Sequence, residues 1–283
     1  MIVPKETQSP AAVAAHYDEL DPFYREIWGR HVHHGYWTTG RETPEEATDA
    51  LVELVARELR VEKGDRVCDI GCGYGAAAAH LARVHDVSVT GLTLSRVQAG
   101  HAAQLAQADG RLTFACRDWM VNELPEGAFD AAYAIESSEH MADKARFFAE
   151  ALRVLRPGGR LCVCAWLARE AASPWEMRHL LEPICREGRM SGMGTEGEYR
   201  ALAAGAGFVV EGFADISRDV RRTWTICARR VLAKVASDPA YRRFLLSRES
   251  QNRVFAVTLA RLVAAYRTGA MRYGVFTLVK PVA

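Results

Sequence analysis

The sequence predicts an α/β fold: a doubly wound, mostly parallel sheet with helices on both faces and a closing antiparallel strand. Three observations carry that prediction. Short apolar runs alternate with helical patterns from residue 66 onward, the signature of strands joined through helices. A glycine-rich loop, "GCGYG" at 71–75, follows the first of those runs. Two further apolar runs, "GFVVEGF" and "RYGVFTLVK", stand on either side of a helical stretch and read as a closing strand pair.

The elements follow in order. Residues 1–60 form an N-terminal helical lid, rich in aromatics in "HYDELDPFYREIWGRHVHHGYW". In "TPEE", Thr43 caps a helix, Pro44 suits its first turn and Glu46 completes a capping box. Leu51, Leu54, Val55 and Leu59 fall on one face of that helix, and Gly64 follows its end. Residues 61–167 form the ligand-binding core. "RVCDI", "VSVTGL", "RLTFAC", "FDAAYAI" and "RLCVCAW" read as strands, with helices between them. Ser95 caps a helix that Gly110 stops; Pro157, Gly158 and Gly159 end the helix in "ADKARFFAEALRVLR". Residues 168–206 read as a cap insertion, and 207–283 as the last two strands with a helical cap inserted at 216–270.

Composition bounds the function. A chain of 283 residues that is 49% hydrophobic can bury a large core. A formal net charge of +1 argues against a nucleic-acid binder. The charge is uneven, though: thirteen Arg or Lys face three acids between Arg218 and Arg272. Seven cysteines with no CxxC fit a reduced, cytoplasmic chain without a disulfide framework or metal site. No signal peptide and no membrane span is expected.

The loop "VCDIGCGYG" carries the chemistry. Its glycines let the chain turn sharply and approach a ligand at the carboxyl edge of the sheet. The spacing is GxGxG rather than GxGxxG, and an acid at Asp69 would repel a pyrophosphate but suits an ammonium or a hydroxyl. A dinucleotide site also wants an acid at the end of the second strand, and Val87 to Ala108 contains none.

"VCDIGCGYG" resembles the S-adenosylmethionine motif of class I methyltransferases, with their Rossmann-like sheet. "VTGLTLSRVQ" is similar to the form in tocopherol methyltransferases and cyclopropane fatty-acid synthases. "IESSEHMADK", "HVHHGYW", "MGTEGEYRALAAGAGF", "VRRTW" and "RYGVF" followed by "KP" extend the resemblance to tocopherol methyltransferases over nearly the whole chain. The resemblance implies S-adenosylmethionine as cofactor. It implies that Asp69, Gly71, Cys72 and Gly73 line the methionine end, that Thr93, Leu94 and Gln98 hold the ribose side, that Asp118 and Trp119 flank the adenine, and that Ile135 and Glu136 border the amino-acid end. Tyr17 and Trp37, the latter in "HGYW", would cover the cofactor.

Methyl transfer from a sulfonium needs position and exclusion of water, and a base only where the acceptor loses a proton. His140 is the favoured base, because imidazole titrates near neutral pH. Glu139 would orient it or act as a second base, and Glu136 stands beside them; packing before the next helix is the alternative for His140. His31, His33 and His34 match no zinc spacing. Trp28 and Tyr36 would wall an apolar acceptor pocket. Arg221, Arg222 and Trp224 in "VRRTW" would meet an anionic acceptor, unless the basic stretch is merely solvated helix faces. The expectation is methyl transfer to a small, largely hydrophobic acceptor, a secondary metabolite, with the C, O or N acceptor atom open. The alternatives are a cyclopropane synthase-like lipid enzyme, a prenyl-diphosphate C-methyltransferase and a non-methylating cyclase.

Overall fold

The computed structural model describes residues 1–246 and 255–282. Among them the strands form one seven-stranded sheet: β1 (Arg66–Ile70), β2 (Ser88–Thr93), β3 (Leu112–Cys116), β4 (Phe129–Ile135), β5 (Leu155–Ala168), β6 (Val209–Asp215) and β7 (Met271–Val279). Their order is β3-β2-β1-β4-β5-β7-β6. β7 runs antiparallel to β5 and β6, and the remaining pairs are parallel. The chain reverses its direction across the sheet at β1 and β4, so the carboxyl ends of these two strands flank the crevice where ligands bind in such folds.

Alternation along the strands builds two cores. Val67, Ala131, Tyr133, Cys162 and Cys164 belong to one buried cluster. Cys68, Ala132, Ala134, Leu161 and Val163, their immediate neighbours in sequence, belong to the other. The first cluster takes in Leu51, Val52, Val55 and Leu59 of α2 (Pro44–Leu59) and Leu81 of α3 (Ala76–His85). The second takes in Phe147 and Phe148 of α5 (Lys144–Val154) and Tyr199 of α8 (Glu196–Ala206). Each face of the sheet thus removes a separate apolar layer from water.

The helix starts follow their sequence signals. Thr43 and Glu46 form the reciprocal capping box, and Ser95 accepts from the Gln98 amide at the head of α4 (Arg96–Ala108). The stops differ. α2 closes at Arg60, which itself takes the left-handed conformation (φ 55°), and Gly64 serves the next turn. α5 ends at Val154, three residues before Pro157. Leu155 already pairs with Phe129, and pairing resumes at Ala131 with Arg160, so Pro157–Gly159 form an irregularity inside a longer β5.

Three helical layers shape the mouth of the sheet. α1 (Pro10–Ile27) packs against α4 and α10. Between β5 and β6 come α6 (Pro174–Glu176), a π-helical turn at Met177–Leu181, α7 (Glu182–Glu187) and α8. α8 is not part of a cap, since its Tyr199 lies in the sheet core. Between β6 and β7 come α9 (Ser217–Val220), α10 (Arg222–Ser237), α11 (Pro239–Leu246) and α12 (Phe255–Thr268), the helices of the stretch read as a cap. The part of that cap at 247–254 lies outside the described residues. α12 packs on α10, α7 and β7.

Candidate active site

The three loop glycines have three different physical reasons. A Cβ on Gly71 (φ 87°) would lie 2.3 Å from the Ser137 Cβ, so it is the neighbouring chain rather than a ligand that demands glycine there. A Cβ on Gly75 (φ 79°) would lie 2.6 Å from the Phe114 ring. Gly73 (φ 54°) faces open space, its nearest neighbour being Gln98 Nε2 at 4.0 Å. Gly73 is therefore the glycine that leaves room for a ligand. The Gly71 and Cys72 amides both donate to the Leu92 carbonyl and tie the loop to β2.

A cavity of 340 Å³ opens at this edge of the sheet. It brings together Tyr17, Gly71, Gly73, Thr93, Leu94, Gln98, Asp118, Trp119, Ile135, Glu136 and His140 from the expected set. Asp69 and Cys72 line a smaller adjoining cavity of 50 Å³, which shares Gly71, Gly73 and Ile135 with the first. Asp69 is buried, and the Tyr133 hydroxyl donates to it at 2.7 Å. Burial pushes its carboxyl up to about 7, against that hydrogen bond. A buried carboxylate held by one phenol, beside a glycine with free space before it, suits the ammonium end of S-adenosylmethionine. Thr93 donates to the Gln98 side chain at 2.8 Å, and Trp119 is buried with its indole N–H on the Phe147 carbonyl.

Asp18 escaped the sequence reading. Ser95, which also lines the main cavity, donates to its Oδ1 at 2.5 Å. α1 thus carries a carboxylate to the end of β2, where the strand itself has none.

The loop after β4 holds three functional candidates in different states. Glu136 has a left-handed backbone (φ 54°), strained for a residue with a Cβ. Four groups hold its carboxylate: the His34 amide at 2.7 Å, His34 Nδ1 at 2.9 Å, Trp166 Nε1 at 2.8 Å and the Tyr273 hydroxyl at 2.8 Å. Burial pushes Glu136 up, but the His34 and His33 interactions outweigh it and hold the group at about 2. A carboxylate so fully engaged is an anchor for the lid loop rather than a base. Glu139 is buried on the Trp166 amide. Burial raises its pKa, while burial lowers that of Lys144, whose ammonium donates to the Glu139 and Met141 carbonyls. Glu139 makes no hydrogen bond to His140, so it does not orient that ring.

His140 is oriented from elsewhere. Its Nδ1 lies 3.0 Å from the Arg189 carbonyl, which can only accept, so the proton sits on Nδ1. Nε2 is left as the acceptor, 2.9 Å from the Tyr17 hydroxyl. Burial pushes this imidazole down to about 4, so it is neutral at physiological pH.

A second cavity, of 80 Å³, lies behind His140. Tyr24, Trp28, Trp166, Trp224, Leu259 and Leu262 give it aromatic and aliphatic walls. Tyr17, Val32, Glu136 and His140 line both this cavity and the first. The Trp224 indole N–H is buried and makes no well-formed hydrogen bond among the described residues, its polar neighbour being the Tyr266 hydroxyl.

Several expected residues fall elsewhere. Trp37 does not cover the 340 Å³ cavity; its indole lies under the Arg222 guanidinium, 5.9 Å away, and its N–H meets the Glu42 carbonyl. Tyr36 lines neither inner cavity and packs against the core. Arg221 and Arg222 face a third, outer cavity that shares no lining residue with the inner two, because tertiary packing turns the other face of α10 inward. His31 and His33 bond to each other, to Asp49 and to the His34 carbonyl.

The sequence and the fold both match known proteins. The family model described as mycolic acid cyclopropane synthetase matches residues 4–260. The 27-O-demethylrifamycin SV methyltransferase of Amycolatopsis mediterranei is 36% identical over 78% of this chain and 82% of its own length. The chloroplastic tocopherol O-methyltransferase of Arabidopsis thaliana is 29% identical over 95% of this chain and 82% of its own. The crystal structure of the [4+2]-cyclase SpnF superposes with a TM-score of 0.81 at 30% identity, covering 99% of each chain.

Proposed function

The chain belongs to the mycolic acid cyclopropane synthetase family and is an S-adenosylmethionine-dependent methyltransferase, and from that premise we propose that it methylates a hydroxyl oxygen on a small, largely apolar secondary metabolite. One observation carries the reading: a neutral imidazole whose acceptor nitrogen, His140 Nε2, is held only by the Tyr17 hydroxyl of the lid helix stands in the wall common to the two inner cavities. A hydroxyl presented from the aromatic cavity can lose its proton there while its oxygen faces the other cavity. The relatives named for O-methylation support an oxygen acceptor.

When bound, S-adenosylmethionine supplies an electrophilic methyl group on a sulfonium. The residues of this chain do the rest. Asp69 takes the ammonium end, Gly73 leaves it room, and Gln98 with Thr93 meets the ribose side, while Asp118 and Trp119 flank the adenine. Asp18, through Ser95, braces the lid helix against that edge. Trp28, Trp166 and Trp224 exclude water and hold the acceptor's apolar body; the poorly satisfied Trp224 N–H donates to a second oxygen on it. The Tyr17 hydroxyl now satisfying His140 Nε2 gives way to the acceptor's hydroxyl, and Nε2 receives the proton. Nδ1–H, fixed on the Arg189 carbonyl, keeps the ring in the right tautomer. No helix among the described residues is long and apolar enough to cross a membrane. The seven cysteines, all free, support a cytoplasmic setting.

The test is a screen of polyketide-like and aromatic hydroxyl acceptors with labelled cofactor, read by mass. The expected product gains one methyl on oxygen. Products labelled only on carbon or nitrogen would overturn the oxygen assignment. The likeness to SpnF supports a second reading, a cyclase that binds the cofactor without transferring its methyl. It predicts ring closure of a polyene with no label incorporated, and His140 dispensable.

A further inference from the structure

The outer cavity on the cap has a volume of 550 Å³ and gathers Arg218, Arg221, Arg222, Arg229 and Arg267 around a single carboxylate, Asp219. Elsewhere several arginines pair with acids, among them Arg111 with Asp86 and Asp109, Arg153 with Glu150, Arg156 with Asp130, Arg261 with Glu187 and Arg272 with Asp215; others, such as Arg57 and Arg178, stand singly rather than in a group. Among the described residues, only Arg222 of the five guanidiniums has a hydrogen bond, to the Gly40 carbonyl, and it lies over the Trp37 ring. Arg218, Arg221, Arg229 and Arg267 have no acidic partner among the described residues. All five arginines are solvent-exposed, so water screens their repulsion; an anion seated among several of them gains charge-assisted hydrogen bonds from more than one guanidinium.

We propose that this cavity is a binding site for a phosphorylated small molecule carrying two or more negative charges, separate from the methyl-transfer site. The chemistry follows from the residues. Guanidinium forks match phosphoryl oxygens in bidentate fashion, and Arg222 is already oriented by its carbonyl bond and its indole. Several unpaired guanidiniums call for more charge than one carboxylate brings. A cavity, rather than a convex patch, fits a small molecule better than the surface of an acidic protein. Its volume exceeds what one phosphate fills, and Trp37 and Tyr266 add aromatic walls against which the rest of the ligand can lie. The absence of any lining residue shared with the two inner cavities means that the ligand is not the methyl acceptor.

The probe is inorganic pyrophosphate, titrated calorimetrically into the full chain at low ionic strength. Saturable one-site binding is expected, weakening as salt rises. The double variant Arg221→Gln, Arg229→Gln should weaken it by about tenfold or more. The pair Arg57→Gln, Arg178→Gln removes the same charge elsewhere and should leave the affinity unchanged. Both variants are first checked for an unaltered unfolding midpoint and unaltered S-adenosylhomocysteine affinity. Saturating S-adenosylhomocysteine should not displace the pyrophosphate. A nucleoside triphosphate that binds more tightly than tripolyphosphate would identify a nucleotide; equal binding would identify the phosphoryl groups alone, and either result supports the site. Failure of pyrophosphate to saturate, an equal loss in both double variants, or displacement by S-adenosylhomocysteine would overturn it.

Discussion

His140 shows how much of the chemistry rests on one side chain's surroundings. Its ordinary pKa would leave it partly protonated near neutrality, but burial brings it to about 4. A base that stays neutral over the whole physiological range gives a flat kcat profile there, with the acid limb near pH 4 rather than 6.5. His140→Gln should lower kcat by about a hundredfold or more, with S-adenosylhomocysteine affinity nearly unchanged. A loss confined to KM would remove the base assignment. Trp224→Phe keeps the aromatic wall and deletes the indole N–H. One net hydrogen bond is worth about 0.5–1.5 kcal/mol, so the acceptor KM should rise roughly threefold to tenfold while kcat holds. An unchanged KM with every active acceptor would mean that the N–H serves no ligand. At this scale the sequence was a partial guide. Asp69, Gly73 and His140 could be picked out by motif. The four donors around Glu136 could not, since His34 and Tyr273 lie 102 and 137 positions away.

α1 is the element on which closure depends. It delivers Tyr17 to His140 and Asp18 to Ser95, and its Tyr24 reaches the acceptor cavity. A helix that touches cofactor cavity, base and acceptor cavity at once must shift for ligands to enter. Amide hydrogen exchange across Pro10–Ile27 should therefore slow when S-adenosylhomocysteine and an acceptor are both bound. Equal protection in the free and bound states would show that entry uses another route. Elements themselves were legible where local chemistry decides them: the Thr43 capping box and the strand at Phe129–Ile135 are where the pattern puts them. They were misjudged where long-range pairing decides. Pro157–Gly159 look like a helix stop, yet Leu155 is already in the sheet because Phe129 pairs with it. The basic residues of α10 were visible in the sequence, but which of its faces turns inward is set by packing on α12, and that placed Arg221 and Arg222 outside the acceptor cavity.

Across the whole molecule, burial moves titratable groups in opposite directions, and the balance is sensitive to the cofactor. His33 and His140 are held below the ordinary histidine value, so the unfolded chain binds more protons there. Their stabilisation is present above pH 6.5 and is lost as pH falls; for His140 the loss extends to about pH 4 and is worth roughly 3 kcal/mol. Asp69 behaves in the reverse way. Its folded pKa of about 7 lies above the ordinary 3.8, so the folded chain keeps a proton that the unfolded chain releases. Its contribution is fully present below pH 3.8 and is lost as pH rises to about 7. A cationic ammonium beside Asp69 removes that loss, because the carboxylate is then ionised in the folded complex too. The apoprotein's unfolding midpoint should accordingly peak on the acid side of pH 7. The added stabilisation by a fixed concentration of S-adenosylhomocysteine should grow from pH 5 to about pH 7 and then level off, as its affinity rises by up to about tenfold per unit. Asp69→Asn should weaken that stabilisation and make it independent of pH over the same range. Scanning calorimetry of both proteins with and without ligand decides the matter. Midpoint curves that run parallel with and without ligand in the unsubstituted protein would mean that Asp69 does not meet the ammonium.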